Sequence, residues 1–144
     1  MKTFRYALLA TLCWPAMVLA QQYVCVPDAM TGFSYNPATK QWTTTRFNTD
    51  FKYVLSPAKN GRDAFVLTKV GEREAEGYCR NAFNEAGFLF CSSITSGEFK
   101  FNRRNGRYLM VFQEGYYLVG KGMWAATDED SGTPAMQIGK CTPF

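Results

Sequence analysis

The sequence contains no histidine among its 144 residues. This absence excludes Ser-His-Asp and Cys-His catalysis, acid–base catalysis by an imidazole, and the histidine-ligated catalytic sites of zinc and copper enzymes. The G-x-S-x-G, S-x-x-K, P-loop and dinucleotide-binding motifs are missing as well. These absences favour a non-enzymatic protein without a cofactor, and they leave only histidine-free chemistry as an alternative.

Patterns typical of metal ligands are also lacking. The cysteines form no C-x-x-C pair, which argues against a site built from thiolates. The segment T-D-E-D-S-G, residues 127–132, offers three carboxylates to calcium, but it lacks the ligand spacing and the distant glutamate of an EF-hand loop. We interpret this segment as a solvated acidic loop and predict no metal site.

No hydrophobic run reaches the roughly 20 residues that a transmembrane helix needs. The apolar run at the N-terminus, Ala7–Ala20, is shorter and follows two basic residues. Val18 and Ala20 are small residues at positions −3 and −1 of a signal peptidase site. The pattern predicts a signal peptide cleaved after Ala20 and a single secreted or periplasmic domain over residues 21–144.

The charge of the chain is nearly balanced. The 16 basic and 12 acidic residues give a formal net charge of +4, and two of the basic residues belong to the predicted signal peptide. An excess of about +2 in the mature domain does not indicate nucleic-acid binding. The apolar content of 47% and the aromatic content of 16% argue against disorder and supply a sizeable core.

Cysteine is more informative. Cys13 leaves with the predicted signal peptide, and Cys25, Cys79, Cys91 and Cys141 remain. An even number of cysteines in a secreted chain predicts two disulfides. We favour Cys79–Cys91, which closes a short loop, together with Cys25–Cys141, which joins the two ends of the domain. Spacing alone leaves the other two pairings open.

Most of the predicted mature domain shows strand signals. Short aromatic and β-branched runs, Tyr116–Val119 among them, alternate with glycine, proline, asparagine and aspartate. No linker or change of composition divides the chain. The sequence therefore predicts a mainly β domain, an antiparallel barrel or sandwich.

One segment has helical spacing instead, and it predicts an amphipathic helix over residues 73–86. Glutamates crowd its start, where the helix dipole favours negative charge, and Gly87 stands where a left-handed cap is expected. The apolar face would consist of Ala75, Tyr78, Cys79, Ala82, Phe83 and Ala86. We expect this face to pack on the sheet.

Two stretches share the pattern C-x7-F-x-[FY]-N-x5-[WY] at an offset of 66 residues. The matching pairs are Cys25 and Cys91, Phe33 and Phe99, Tyr35 and Phe101, Asn36 and Asn102, and Trp42 and Tyr108. Alternating aromatic residues predict a strand, and the asparagine after them predicts a tight turn. We interpret the pattern as two copies of a β-hairpin within one domain.

The second hairpin carries the densest positive charge of the predicted mature domain. Lys100, Arg103, Arg104 and Arg107 surround its turn, with Tyr108 beside them, and the three arginines do not recur in the first copy. Guanidinium groups suit carboxylate and phosphate partners. These five residues are the candidate binding site, and the alternative is a charged turn that keeps the hairpin soluble.

Three functions are compatible with these features. The first is a non-enzymatic binding protein, of the inhibitor or immunity type, that recognises an acidic surface of a partner protein. The second is a carrier that holds a small apolar ligand inside an aromatic barrel. The third is a glycan hydrolase that uses Glu98 and Glu114 as its carboxylate pair.

Overall fold

The computed structural model describes residues 21–93, 97–113, 115–123 and 125–144. The predicted signal peptide and its cleavage site lie outside these described residues, as does Glu114.

The described chain forms one antiparallel sheet that closes on itself. Because β1 pairs with both β3 and β9, eight of the nine strands complete a barrel, and β2 extends from β1 as an outer edge strand. A short 3-10 helix, η1 (Asp128–Asp130), lies between the last two strands. The strands are β1 (Tyr23–Asn36), β2 (Gln41–Arg46), β3 (Tyr53–Pro57), β4 (Phe65–Lys69), β5 (Ala75–Cys79), β6 (Phe88–Ser93), β7 (Gly97–Asn102), β8 (Arg107–Phe112) and β9 (Ala135–Pro143). The architecture is therefore a barrel and not a sandwich.

Side chains fill the barrel. An eight-stranded barrel has an interior just wide enough for the inward side chains of its own strands. The buried core includes Tyr23, Leu55, Phe65, Leu67, Leu89, Phe99, Phe101 and Met110. Aromatic rings pack edge to face within it, with the Tyr23 and Phe101 centroids 5.0 Å apart. The interior is thus a packed core.

A β-bulge divides β1 into two halves, and the residues that would face the interior by the alternation of the first half face outward in the second. Tyr23, Cys25 and Pro27 are buried, as the period of two predicts for inward residues. The register with β9 shifts between Pro27 and Ala29, so the alternation moves by one residue. Phe33, an even number of residues from Cys25, consequently lies on the outer surface and is 50% exposed.

The predicted helix over residues 73–86 is absent, and this prediction was wrong. β5 occupies Ala75–Cys79, and its pairing with β4 places Cys79 opposite Phe65. The strand supplies hydrogen bonds for β4 and for β6, which a helix would leave open at this point of the barrel. The pairings with the neighbouring strands determine the structure here in spite of the local helical spacing. Gly77 also lowers the stability of the competing helix.

The segment that follows β5 closes one end of the barrel. Phe83 inserts its ring against Tyr23, Phe65 and Phe101, with centroid distances of 5.8, 5.3 and 5.7 Å. Phe83, which was predicted to lie on the apolar face of a helix, therefore plugs the end of the barrel. We refer to residues 80–87 as the end segment.

Both predicted disulfides are present. Cys25 and Cys141 are paired residues on β1 and β9, and Cys79 and Cys91 lie on the neighbouring strands β5 and β6. Each bond joins two adjacent strands on the side that faces the barrel interior, and all four cysteines are buried. Such disulfides are typical of an oxidising compartment.

A buried polar network lies inside the opposite end of the barrel. The Gln137 amide nitrogen donates to the Tyr108 hydroxyl at 2.6 Å, and the Tyr53 hydroxyl donates to the Gln137 carbonyl at 3.5 Å. Burial raises the pKa of Tyr108 to about 12, with a smaller contribution from Asp28, while the Gln137 hydrogen bond lowers it. Burial is also the main cause that raises the pKa of Tyr53.

These shifts predict a loss of stability in alkali. A tyrosine whose folded-state pKa exceeds its unfolded value contributes stability fully below the unfolded pKa and loses it as the pH rises through the folded pKa. We expect the free energy of unfolding to fall between pH 10 and about 12, the ordinary and folded-state values for Tyr108. Urea unfolding at increasing pH measures this fall.

Tyr108→Phe serves as the control, because it removes one of the two buried phenols. This variant should lose less stability over the same pH interval than the unaltered protein. Equal slopes in the two proteins would contradict the assignment to Tyr108.

Candidate functional site

The residues predicted as a binding site occupy the β7–β8 hairpin, and most of them already have partners. Lys100 lies on the outer wall and forms an ion pair with Glu98 at 2.7 Å. Arg107 is exposed, and its backbone N–H donates to the Asn105 side chain at 2.9 Å. Tyr108 is buried in the barrel, so its ring is not available to a partner.

Arg103 and Arg104 hold the end segment in place. The guanidinium carbon of Arg103 lies 4.9 Å from the centroid of the Phe83 ring, a cation–π contact. Arg104 donates from Nη2 to the Glu85 carbonyl at 2.8 Å, and the Arg103 backbone N–H donates to the Gly87 carbonyl at 3.0 Å. These contacts explain the two arginines as parts of the fold that secure the barrel plug.

The candidate hydrolytic pair gains no support. Glu98 has its carboxylate engaged by Lys100 on an open strand face, and Glu114 lies outside the described residues. Within the part of the chain that the structure describes, no group of three or more histidine, cysteine, aspartate or glutamate residues could hold a metal ion.

An apolar concavity lies elsewhere, at the end of the barrel remote from the plug. It encloses about 840 Å³ between the outer face of β8, β9 and β1, the β1–β2 hairpin, and the residues after β8. We call it the aromatic groove. Its lining includes Phe33, Trp42, Phe112, Tyr116, Tyr117 and Met136.

The β1–β2 hairpin has the same construction as β7–β8. Tyr35 pairs with Trp42 as Phe101 pairs with Tyr108. The Asn36 side chain accepts from the Ala38 backbone N–H at 3.0 Å, and Asn102 accepts from Arg104 at 3.0 Å. The last turn residue has a positive φ in both hairpins, 54° at Lys40 and 71° at Gly106. The predicted strand–turn–strand form of both stretches is therefore correct.

The two hairpins differ in what surrounds them. Phe99 in β7 is 1% exposed and belongs to the core, whereas its counterpart Phe33 is 50% exposed. The bulge in β1 accounts for this reversal, because it turns the aromatic face of the first hairpin outward. Phe99 and Tyr108 belong to the core, whereas their counterparts Phe33 and Trp42 line the aromatic groove.

An aromatic cluster forms one side of the groove. Trp42 packs against Tyr35 and Tyr116, with centroid distances of 5.7 and 5.5 Å. Tyr116 and its neighbour Tyr117 remain exposed. The Trp42 indole N–H is buried and finds no acceptor among the described residues, which is unusual for a residue retained only for stability.

The rim of the groove near this cluster is acidic. Burial raises the pKa of Tyr35, and the carboxylates of Asp128 and Glu129 in η1 raise it further. None of the three η1 carboxylates takes part in an ion pair among residues 21–144 as described. The side of the groove beside Tyr35 therefore carries carboxylates that form no ion pair among the described residues.

A sign of this site was present in the sequence. The return strand of the second hairpin reads R-Y-L-M-V-F, and the aligned return strand of the first reads Q-W-T-T-T-R. Three threonines where the second hairpin has apolar residues do not suit a barrel wall buried on one face. The difference indicates that the first hairpin projects from the barrel. Tyr116 and Tyr117, which were predicted to lie in a strand, occupy a turn region instead.

The fold and the groove define a disulfide-linked antiparallel β-barrel with an aromatic concavity on its outer surface. Comparisons with protein-family models, with curated proteins and with solved structures find no match to this chain. No helix in the described part of the chain is long and apolar enough to cross a membrane.

Proposed function

We propose that this protein is a non-enzymatic binding protein that holds a partner protein in the aromatic groove. The proposal rests on one observation: the aromatic face of the first hairpin points away from the barrel interior. As a result, Phe33 and Trp42 line a concavity together with Tyr117 and do not form part of the core. Large apolar side chains exposed together on a small domain are typical of an interaction site.

The groove suits a polypeptide better than an enclosed small ligand. Its volume of about 840 Å³ lies within the roughly 300–1,000 Å³ of ordinary binding pockets, but it opens along the side of the barrel. Tyrosine and tryptophan are also the residue types enriched in protein interfaces. The packed interior gives no support to the alternative of a ligand carried within the barrel.

The remaining parts of the proposal follow from the disulfides and the missing catalytic groups. Two buried disulfides fit a protein that works outside the cytosol, and we propose secretion with cleavage after Ala20. A rigid barrel that covers the surface of an enzyme can block it without chemistry of its own. The proposal therefore includes an inhibitor or immunity role.

Site-specific photo-crosslinking in the organism that makes the protein tests this assignment. Tyr117 is 62% exposed at the groove, and Tyr117→benzoylphenylalanine should form a crosslink to one defined partner protein. Adding Phe33→Ser to this variant should reduce the crosslinked product at least fivefold, since it removes an apolar wall of the groove.

Phe90→benzoylphenylalanine is the matched control, because Phe90 is 56% exposed on the outer wall of β6, away from the groove. It should give no product of the same mass. Equal crosslinking from both positions, or no crosslink from Tyr117, would contradict the proposed function.

A further inference from the structure

We infer that the partner contributes an extended segment that pairs with the free edge of β2 and presents a basic side chain to η1. This inference rests on the proposed function and specifies how the partner is recognised. β2 is the terminal strand of the sheet, and among the described residues it pairs only with β1.

The register shows which backbone groups of β2 are free. The Phe47 backbone N–H donates to the Met30 carbonyl, so hydrogen-bonded and non-hydrogen-bonded pairs alternate from that point along the hairpin. Thr43 and Thr45 then face β1 with their N–H and C=O groups. Those of Trp42, Thr44 and Arg46 face away from β1, where a further strand would bind them.

The free edge lacks most of the features that protect such edges. Natural edge strands are blunted by proline, by bulges or by charged side chains in mid-strand. β2 has a charge only at its end, Arg46, and contains no proline and no register shift. Thr43, Thr44 and Thr45 favour extended backbone and leave the edge accessible. An extended polypeptide is therefore the occupant that this edge fits best.

Trp42 links the edge to the groove. Its ring lines the groove, while its backbone N–H and C=O belong to the free edge. In an antiparallel pair, residues directly opposite each other place their side chains on the same face. A strand added along β2 would thus direct alternate side chains to the face of Trp42, and large apolar ones would extend the aromatic surface.

The charge of the rim specifies one further property of the segment. Asp128, Glu129 and Asp130 lie in η1, which packs against β1, the strand that carries Tyr35 at the turn end of the hairpin. The basic groups of the hairpin itself are Lys40 in the turn and Arg46 at the far end of β2. A lysine or arginine in the segment, placed near Tyr35, would meet the unpaired η1 carboxylates.

Selection of phage-displayed random dodecapeptides on the purified, disulfide-bonded protein tests the inference. We expect enriched peptides to carry large apolar residues at alternate positions and at least one basic residue. Their affinity for Thr44→Pro should be at least tenfold lower in fluorescence anisotropy, because proline removes a free N–H donor without breaking a hydrogen bond to β1. Thr44→Val keeps the donor and should bind like the unaltered protein.

Two further measurements keep the test independent of the folding of the proline variant. Alternate backbone amides of a bound peptide would point toward β2, and the others would point away from it. N-methylation of the first set should abolish binding, and N-methylation of the second set should not. Asp128→Asn combined with Glu129→Gln should weaken a basic peptide at least threefold at low salt, whereas Glu98→Gln on the far wall should not.

The outcomes separate this inference from the proposed function. Peptides that bind Thr44→Pro normally but are lost with Phe33→Ser would overturn strand addition and leave the groove intact. A selection that enriches acidic peptides would overturn the assigned charge. Self-association that Thr44→Pro abolishes would show a second copy of the chain as the occupant, against the inference. Absence of any binding, together with no crosslink from Tyr117, would remove both.

Discussion

Replacing Cys25 and Cys141 together by serine is expected to lower the free energy of unfolding by about 5 kcal/mol. The bond joins residues 116 positions apart, and restricting so long a loop in the unfolded chain has a large entropic effect. Because a single domain typically has a stability of about 5–15 kcal/mol, this variant should be partly unfolded at physiological temperature. Guanidinium unfolding followed by circular dichroism measures the loss.

The other disulfide is a matched control within the same barrel. Cys79 and Cys91 are 12 positions apart and equally buried, so serine at both positions should cost about 3 kcal/mol in the same loop-entropy estimate. The expected difference of about 2 kcal/mol reflects loop length and not the loss of packing. Equal losses in the two variants would contradict this explanation.

Phe99→Ala is expected to cost about 3–5 kcal/mol of stability, because it removes a fully buried ring from the packed interior. Phe99 is 1% exposed and stacks on Tyr108 with a centroid distance of 5.2 Å. Its counterpart in the first hairpin, Phe33, is exposed, so Phe33→Ala should cost less than about 1 kcal/mol. Urea unfolding of the two variants under identical conditions gives the comparison.

Substitutions at Phe33 and Phe99 should have the opposite order of effects when binding is measured in place of stability. Phe33→Ala should weaken the crosslink from Tyr117, while a folded Phe99 variant with a milder change, Phe99→Leu, should keep it. A large loss of stability in Phe33→Ala would show that the first hairpin serves the core, and it would argue against the aromatic groove as a binding site.

The number of disulfides and the strand content were predictable because the cysteine count and the strand signals can be read directly from the sequence, whereas the pairing was only favoured. Four cysteines remain after the predicted cleavage, and the pairing of the outermost two matches a sheet whose first and last strands meet. The asparagines at positions 36 and 102 predicted their turns for the same reason, since each bonds to backbone N–H groups two or three residues away.

The helix over residues 73–86 was predicted from local spacing, and non-local pairing decided otherwise. Strands on both sides require hydrogen-bond partners, and Phe83 fills a space that exists only once the barrel has closed. Neither requirement can be read from one segment. The choice between barrel and sandwich had the same difficulty, because it depends on the pairing of β1 with β9.

The β7–β8 candidate site stays a prediction, but the partners of its arginines could not be read from the sequence for a related reason. Arginine at a turn suggests a binding surface, but the partners of Arg103 and Arg104 are in the end segment, well before them in sequence. Phe33 and Trp42 were assigned to architecture because they match core positions of the second hairpin. Their position outside the core follows from a single shift in register between Pro27 and Ala29, which the sequence does not indicate.

That shift has a consequence for how this chain can diverge. Residues of β1 before the bulge are constrained by the volume of the interior, whereas Phe33 beyond it lines the groove and Tyr35 packs on Trp42 outside the core. The outer hairpin is therefore free to change its side chains without repacking the barrel. Relatives of this chain should keep Tyr23 and Cys25 while they vary at positions 33, 35 and 42, so one strand carries both a conserved scaffold and an adaptable recognition surface.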